Sequence, residues 1–296
     1  MMNKPMKILS LGAGVQSTAV LLMSCKGVLP KIDAAIFADT QWEPSAVYAH
    51  LTWLEAEAAK HGIPVHRVTA GNIREDALEF RRNRKSADGK RYASLPMFFK
   101  NPDGSVGKLP RQCTKEYKIQ PIERFIRRTV LGLAPGQRAP EKAVEHWFGI
   151  SAEEYAHRGR KSMNHWQTFR YPLVFDVESP RDRAGSLFAR GFDRQDCKDW
   201  LSANGYPEPP RSACIGCPFR SDEEYAALSP DEFADACDFD DKGRELERPS
   251  NRGLDVVPFL HRSMVPLRMV QLRPKAERRE RSMVGFLDEC QGMCGN

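Results

Sequence analysis

Apolar and polar positions along the first 70 residues form alternating blocks of strand and helix length. Short apolar runs at 7–11, 33–38 and 65–68 predict three buried strands. The segments 17–26 and 44–61 between them have helical periodicity, and the second has Pro44 in its first turn and Gly62 after its end. Strands that alternate with helices at this spacing predict an α/β fold on a Rossmann-like parallel sheet.

The regular pattern ends near residue 81. The segment 81–112 predicts either an excursion over a site or a solvated loop, whereas 114–131 predicts a helix and 145–150 a strand, with Ser151 capping the next helix. After 171–173 the sequence predicts short helices and loops. We therefore expect an α/β domain over 1–175 and a smaller helical, cysteine-containing extension over 176–296, packed on the same domain.

Composition restricts the classes of protein that fit. The chain has 296 residues, of which 41% are hydrophobic and 28% charged, so it is not a disordered sequence. A net charge of +6 suits an anionic ligand and is smaller than a dedicated nucleic-acid binder usually carries. No apolar run approaches the roughly 20 residues of a membrane span, and no cleavable apolar segment follows the N-terminus. We expect a cytoplasmic protein without a membrane segment.

The cysteines are the first candidate for chemistry. Eight cysteines are too few for a disulfide scaffold, and their clustering is typical of metal or redox chemistry in a reducing compartment. Cys214 and Cys217 stand two residues apart, and Cys113 and Cys197 bring the number of thiolates to the four that an iron–sulfur cluster or a zinc ion uses. The alternative is four buried structural cysteines.

A glycine-rich turn after the first strand is the second candidate. Gly12 and Gly14 leave room for a phosphate to approach backbone amides, and the helix that follows adds its positive end. The alternative is a tight strand–helix turn without a ligand, because neither the P-loop nor the dinucleotide fingerprint is complete. Ligands of parallel sheets bind beyond the carboxyl ends of strands, where the second strand also stops. The predicted nucleotide-binding residues are Gly12, Gly14, Gln16, Ser17, Thr18, Asp39 and Thr40.

The order of these motifs resembles a known family. A strand, a glycine turn and a helix, followed by a strand that ends in Asp39-Thr40 with Pro44 beyond it, are similar to the PP-loop (adenine-nucleotide α-hydrolase, HUP-type) superfamily and, within it, to the PAPS/APS reductases. Gln16 stands where the ATP pyrophosphatases of that superfamily have aspartate, which favours the reductase branch.

Further segments extend this resemblance over about 200 residues. Cys113 to Ile122 is similar to the family's Cys-Cys-x-x-Arg-Lys-x-x-Pro-Leu segment, with Thr114 in place of the second cysteine. The segments 149–151, 171–173 and 216–218 resemble its Gly-Ile-Arg, Pro-Leu and Gly-Cys-x-x-Cys segments. The resemblance implies that Lys118 and Arg158 bind a sulfate or phosphate group.

The resemblance also implies a cluster and a nucleophile. One [4Fe–4S] cluster would be held by Cys113, Cys197, Cys214 and Cys217, with Cys197 supplying the ligand missing at Thr114; zinc would accept the same four sulfurs. Glu289-Cys290 matches the start of the family's C-terminal Glu-Cys-Gly-x-His motif, which predicts Cys290 as a nucleophile and Cys294 as a resolving thiol. The alternative is a tail with two incidental thiols.

Three functions follow as hypotheses. The first is a sulfonucleotide reductase that converts PAPS or APS to sulfite with a thioredoxin-like reductant. The second is an enzyme that uses ATP and Mg²⁺ to adenylate and thiolate, or otherwise modify, tRNA or DNA. The third is a cluster-bearing nucleotide sensor without turnover. The basic segments 157–166 and 273–281 suit nucleic-acid backbones, nucleotide phosphates or a solvated surface, and a homo-oligomer is expected.

Overall fold

The computed structural model describes residues 4–78, 81–82, 90–91, 95–181, 190–245 and 256–272. Its centre is a five-stranded parallel sheet with the strand order β3-β2-β1-β8-β9. Two short antiparallel hairpins, β4–β5 and β6–β7, lie outside it. The predicted α/β fold on a parallel sheet is confirmed. The strands are β1 Met6–Ser10, β2 Ala34–Asp39, β3 Val65–Thr69, β4 Arg81–Arg82, β5 Lys90–Arg91, β6 Phe98–Lys100, β7 Val106–Lys108, β8 Val144–Phe148 and β9 Gln167–Arg170.

Helices cover both faces of the sheet. The predicted helix over 114–131 exists as α4 flanked by π-helical turns at Thr114–Ile119 and Ile126–Val130. None of the described helices is both long and apolar enough to cross a bilayer. The helices are α1 Val15–Cys25, α2 Ser45–Lys60, α3 Ile73–Leu78, α4 Gln120–Phe125, α5 Ala152–Arg158, α6 Pro172–Phe175, α7 Arg194–Ala203, α8 Asp222–Ala226 and α9 Pro230–Gly243, with a short 3₁₀ turn at Leu267–Met269.

The alternation of side chains along β1 and β2 explains the two faces. Leu9 and Phe37 belong to a core with residues of α1, α2 and α7, whereas Ile8 and Ile36 belong to another core with Ile122 and its neighbours. Because successive strand residues point to opposite faces, a strand that is apolar at every position must be covered on both sides. The uninterrupted apolar runs of the sequence therefore match a sheet between two helical layers.

A third core joins the C-terminal region to the carboxyl ends of the strands. Trp42, which follows β2, and Tyr117 pack with Tyr225 of α8 and Phe239 of α9. The helix α7, by contrast, packs against α1 in the first core. The described parts of the C-terminal region thus pack against the sheet domain at two places, and the division at residue 175 remains a prediction.

Two local features differ from the sequence predictions. The strand β9 was not predicted, because its four residues lie at the edge of the sheet and only Gln167 is buried along it. Ser151 occupies the N-cap position of α5, but its side chain makes no capping hydrogen bond. Its buried hydroxyl has no hydrogen-bond partner within the described part of the chain.

Candidate functional site

The glycine turn between β1 and α1 is tight and internally bonded. The left-handed residue is Ala13, with φ of 57°, and not either glycine. The Gly12 amide donates to Ser17 Oγ at 3.2 Å, and that hydroxyl donates to the Gly14 carbonyl at 3.3 Å. The turn therefore uses the Ser17 hydroxyl to hold its own backbone.

The neighbouring strand end packs directly on this turn. A Cβ atom on Gly149, which follows β8, would lie 2.6 Å from the Ser17 nitrogen and 2.9 Å from the Gln16 carbonyl carbon. Only glycine permits that approach of two backbones. Gly149 thus brings the end of β8 and the start of α5 against the first turn of α1.

The loop that carries Cys214 and Cys217 covers the ends of β1 and β2. The Ser212 hydroxyl donates to the Gly12 carbonyl, and the Ile215 amide donates to the Trp42 carbonyl at 2.8 Å. Gly216 lies so close to the Trp42 ring that a Cβ atom there would overlap it. These contacts place the cysteine pair beside the glycine turn, at the edge of the sheet where ligands of parallel sheets bind.

Two buried side chains hold the carbonyl groups of this loop. Arg220 donates from Nε to the Cys214 carbonyl at 3.0 Å and from Nη2 to the Ala213 carbonyl at 2.5 Å. The Tyr225 hydroxyl donates to the Cys217 carbonyl at 3.0 Å. Since buried backbone carbonyls need donors, these bonds fix the loop in one conformation.

A small cavity of about 20 Å³ lies between the cysteine loop and the end of β2. A cavity of that size has room for about one water molecule. Cys113, Cys214 and Cys217 line it together with the cations Arg111 and Lys118. The rest of the lining consists of Thr40, Ile73, Leu95, Pro96, Pro218 and Phe219.

A buried carboxylate lies against this cavity. The side chain of Glu43 is 1% exposed, and its Oε1 accepts from Thr40 Oγ1 at 3.0 Å and from Cys214 Sγ at 3.5 Å. Lys118 Nζ, on a side chain that is 7% exposed, lies 3.9 Å from the same oxygen. The second oxygen, Oε2, is buried and has no hydrogen-bond partner among the residues that the structure describes. A buried carboxylate needs a counter-charge, and Lys118 supplies it.

The Cys214 thiol is embedded in this polar cluster. Its sulfur lies 3.2 Å from Thr40 Oγ1 in addition to the contact with Glu43. Burial raises the pKa of the Cys214 thiol well above its usual value, the negative charge of Glu43 raises it further, and Lys118 lowers it. Cys214 is therefore a protonated thiol that donates to a carboxylate.

The structure does not bring the four predicted metal ligands together. Cys113, Cys214 and Cys217 line one cavity, whereas Cys197 is completely buried in the core between α7 and α1. Among the residues that the structure describes, no three or more His, Cys, Asp or Glu side chains are close enough to hold a metal ion. The described residues thus do not fit the four-thiolate set expected for an iron–sulfur cluster or zinc.

The other predicted site residues lie in different parts of the structure. Thr18 is buried, with Oγ1 3.1 Å from His50 Nε2, so its hydroxyl contacts α2. Asp39 Oδ1 accepts from the Gln41 amide at 2.7 Å and the Tyr48 hydroxyl at 2.8 Å. Arg158 does not line the cysteine cavity; its Nη1 lies 3.4 Å from Glu154 Oε1. Cys290, Cys294 and the basic segment 273–281 lie outside the described residues.

Sequence reasoning missed Glu43 and Arg220. Glu43 is three residues beyond Thr40 and directly before the proline that begins α2, so the local pattern only marks it as a loop residue. Arg220 belongs to the same loop as the cysteine pair, and no motif in the sequence marks it. Both act through tertiary contacts, and no spacing rule predicts these.

Several solved structures are similar to this chain, and one of them is a reductase. The crystal structure of phosphoadenylyl-sulfate (PAPS) reductase from Candida auris, a phosphate complex, is 11% identical to this chain with a TM-score of 0.36. The match covers 70% of this chain and 76% of that chain. No protein-family model and no curated protein matches. At this identity and TM-score the match assigns neither substrate nor reaction to this chain.

Proposed function

We propose that this chain is an enzyme of nucleotide-dependent sulfur chemistry that acts as a sulfonucleotide reductase. One observation carries the proposal: the cysteine loop is bonded to the glycine turn through Ser212 and to the end of β2 through Cys214. Thiol groups and a nucleotide-type turn thus occupy the same edge of a parallel sheet. The resemblance of the sequence motifs to those of the PAPS/APS reductases supports the same class of reaction.

The charges beside the cavity suit a sulfated nucleotide. Lys118 and Arg111 are the cations among its lining residues, and hydrogen bonds from cations to sulfate or phosphate oxygens are strong and short. In the proposed reaction the nucleotide lies at the turn, and Lys118 stabilises negative charge on the transferred sulfonate group. Glu43 holds the Lys118 ammonium group in place from the opposite side.

The nucleophile of the proposal is Cys290, on the strength of the C-terminal motif alone. Its thiolate attacks the sulfur of PAPS or APS, the bond from that sulfur to the phosphate oxygen breaks, and the nucleotide leaves with the electron pair. A second thiol, for which Cys294 is the candidate, attacks the resulting S-sulfocysteine and releases sulfite as a disulfide forms. A thioredoxin-like dithiol then returns two electrons to the disulfide. No metal centre is needed in this sequence.

Two parallel reactions test the proposal on anaerobically purified protein. The first contains PAPS or APS with a thioredoxin system, and the second contains ATP and Mg²⁺ with bulk tRNA or single-stranded DNA. We expect sulfite in the first, its loss in Cys290→Ser, and its retention in the matched control Cys25→Ser, since Cys25 lies at the end of α1. Absence of sulfite from both sulfonucleotides would overturn the proposal.

A second candidate function has one observation in its favour. Arg160 and Lys161, directly after α5, are exposed cations that form no ion pair with any residue the structure describes. They suit the phosphate backbone of a nucleic acid that an ATP-dependent enzyme would modify. Pyrophosphate release in the second reaction, without sulfite in the first, would support this candidate.

A further inference from the structure

A second concave surface lies along the edge strand of the sheet, separate from the cysteine cavity. This groove has a volume of about 350 Å³ and is bounded by α5, the loop after it, the strand β9 and the end of α6. Volumes of this order are typical of small-molecule pockets. We call it the β9 groove; its lining includes Tyr155, Arg160, Lys161, Phe169, Arg170 and Phe175.

The charge of the β9 groove has one sign. Arg160, Lys161 and Arg170 line it, and none of the described lining residues carries a carboxylate. Arg170 Nε donates to Asp176 Oδ2 at 2.9 Å, so its charge is partly offset, whereas Arg160 and Lys161 are exposed and form no ion pair with any described residue. Their charges are therefore available to an anionic ligand.

Aromatic rings form the other part of the wall. Phe175 is 54% exposed, a large value for a phenylalanine, and Tyr155 stands edge-on to it with ring centroids 5.1 Å apart. Phe169 and Tyr171 line the same groove. Proteins that bind single-stranded nucleic acids combine an exposed aromatic ring, as at Phe175, with nearby exposed cations, because bases stack on rings and phosphates contact cations.

The groove is built to keep this shape. The Arg160 amide donates to the Tyr171 hydroxyl at 2.8 Å, and that hydroxyl donates to the Arg160 carbonyl at 2.6 Å. A Cβ atom on Gly159 would lie 2.5 Å from Tyr155 Cε2, so glycine is required for the chain to pass that ring. The backbone that carries the cations is thus held against the aromatic wall.

The helix α5 connects the β9 groove to the candidate site. α5 begins after Gly149 and Ser151, next to the first turn of α1, and Tyr155 follows one helical turn later with its amide donating to the Ser151 carbonyl at 3.1 Å. Four residues of helix span about 6 Å. Tyr155 of the groove wall therefore lies about one helical turn from the segment that packs on the glycine turn.

We infer that the β9 groove binds single-stranded nucleic acid, with one base stacked on Phe175 and the adjacent phosphates on Arg160 and Lys161. The inference deepens the second candidate function, which already places a nucleic acid on Arg160 and Lys161, and it does not depend on which reaction occurs at the strand ends. RNA and DNA share the chemistry that the groove recognises, and the two are separated by experiment.

The test measures fluorescence anisotropy of labelled 12-nucleotide RNA and DNA of mixed sequence on the full chain, at several salt concentrations. For Arg160→Gln/Lys161→Gln we expect the slope of log affinity against log salt to fall by about 1.4, since each phosphate contact on a single strand contributes about 0.7. Phe175→Ala should weaken binding about 5-fold or more with an unchanged slope, because stacking involves no counterions. The polymer that binds with the higher affinity, RNA or DNA, is identified as the ligand of the groove.

Matched controls are available among exposed residues that do not line the β9 groove. Lys60→Gln removes an exposed cation at the end of α2, and Val28→Ala trims a side chain that is 53% exposed. Both should leave affinity and slope unchanged, and thermal unfolding checks that all variants are folded. Absence of oligonucleotide binding, or equal binding by groove and control variants, would overturn the inference. Sulfite formation measured in parallel distinguishes that result from failure of the proposed function.

Discussion

Cys197 and Cys214 are both buried, yet they occupy different environments. Cys197 is 0% exposed and packs between α7 and α1, and burial raises its thiol pKa well above the usual value, with the carboxylates of Glu153 and Asp196 raising it further. Cys214 contacts a hydroxyl and a carboxylate and has Lys118 nearby to lower its pKa. Burial therefore does not distinguish a structural cysteine from a candidate for chemistry, whereas the polar partners do.

The largest expected effect comes from removing the cation on the Cys214 side of this comparison. Lys118→Met leaves the Glu43 carboxylate buried without its counter-charge, and breaking a buried ion pair in this way costs about 3–5 kcal/mol. We expect a loss of that size in the free energy of unfolding measured with urea.

Two further variants make this prediction specific. Lys115→Met, an exposed lysine in the same helical segment, should have little effect. Adding Glu43→Gln to Lys118→Met should recover part of the loss, because the second change removes the unpaired charge. Equal stability of the two single lysine variants would contradict a buried ion pair at the cavity.

The second-largest expected effect is a loss of folding stability in acid, which limits the pH range over which variants of the two cysteines can be compared. His146 is buried with Nε2 2.8 Å from Ser10 Oγ and Nδ1 3.1 Å from Gln167 Oε1, and burial lowers its pKa from 6.5 to about 4. Between these values the unfolded chain binds the additional proton, so stability falls as the pH falls from 6.5 to 4. At about 1.4 kcal/mol for each pH unit, the loss is about 3 kcal/mol.

Urea titrations at a series of pH values measure this loss. His146→Gln should flatten the dependence between pH 6.5 and 4, and His50→Gln should remove a separate contribution, since burial also lowers the pKa of His50 to about 4. Neither thiol ionises in this range. An unchanged pH profile in both histidine variants would rule out buried neutral imidazoles as its cause.

The third prediction compares the two cysteines directly. Cys197→Ser buries a hydroxyl in an apolar core and should cost about 1–3 kcal/mol of unfolding free energy. Cys214→Ser should cost less than about 1 kcal/mol, because Thr40 and Glu43 remain as partners for the new hydroxyl. Thermal unfolding of the two variants, with Cys197→Ala as a test for size, measures the difference. A reversed order would mean that the polar contacts of Cys214 contribute nothing.

The smallest expected effect is none at all. Cys197→Ser should leave unchanged any iron or zinc that the anaerobically purified protein carries, because Cys197 lies in a different core from the other three candidate cysteines. Mass spectrometric metal analysis of Cys197→Ser beside Cys113→Ser checks this. Loss of metal in the Cys197 variant would restore it as a ligand.

The sequence predicts the fold more completely than it predicts the candidate site. Periodicity is a local property, so the runs at 7–11, 33–38 and 65–68 predicted three strands of the sheet within a residue or so of their ends. The edge strand β9 has little apolar content, and its identity depends on pairing with β8.

The site depends on contacts between distant residues. Thr40 and Cys214 are 174 positions apart, and Glu43 and Cys214 are 171 apart. The sequence predicted the cysteine pair and the end of β2 as separate motifs, and Lys118 at the same site followed from the resemblance. It assigned Cys197 to the cysteine centre because its residue type fits, although its helix packs elsewhere. Residue type and spacing do not determine which surface a helix covers.

The bond from Ser212 to the Gly12 carbonyl joins the cysteine loop to the glycine turn. Any ligand that binds the turn only when this bond is broken favours a displaced position of the loop, and with it of Cys214. Coupling between two equilibria is reciprocal. If the ligand changes the equilibrium for alkylation or oxidation of the loop cysteines by some factor, that modification then changes the affinity of the turn for the ligand by the same factor. For a ligand of that kind, the Ser212 hydroxyl would make ligand occupancy and thiol state two measurements of one equilibrium.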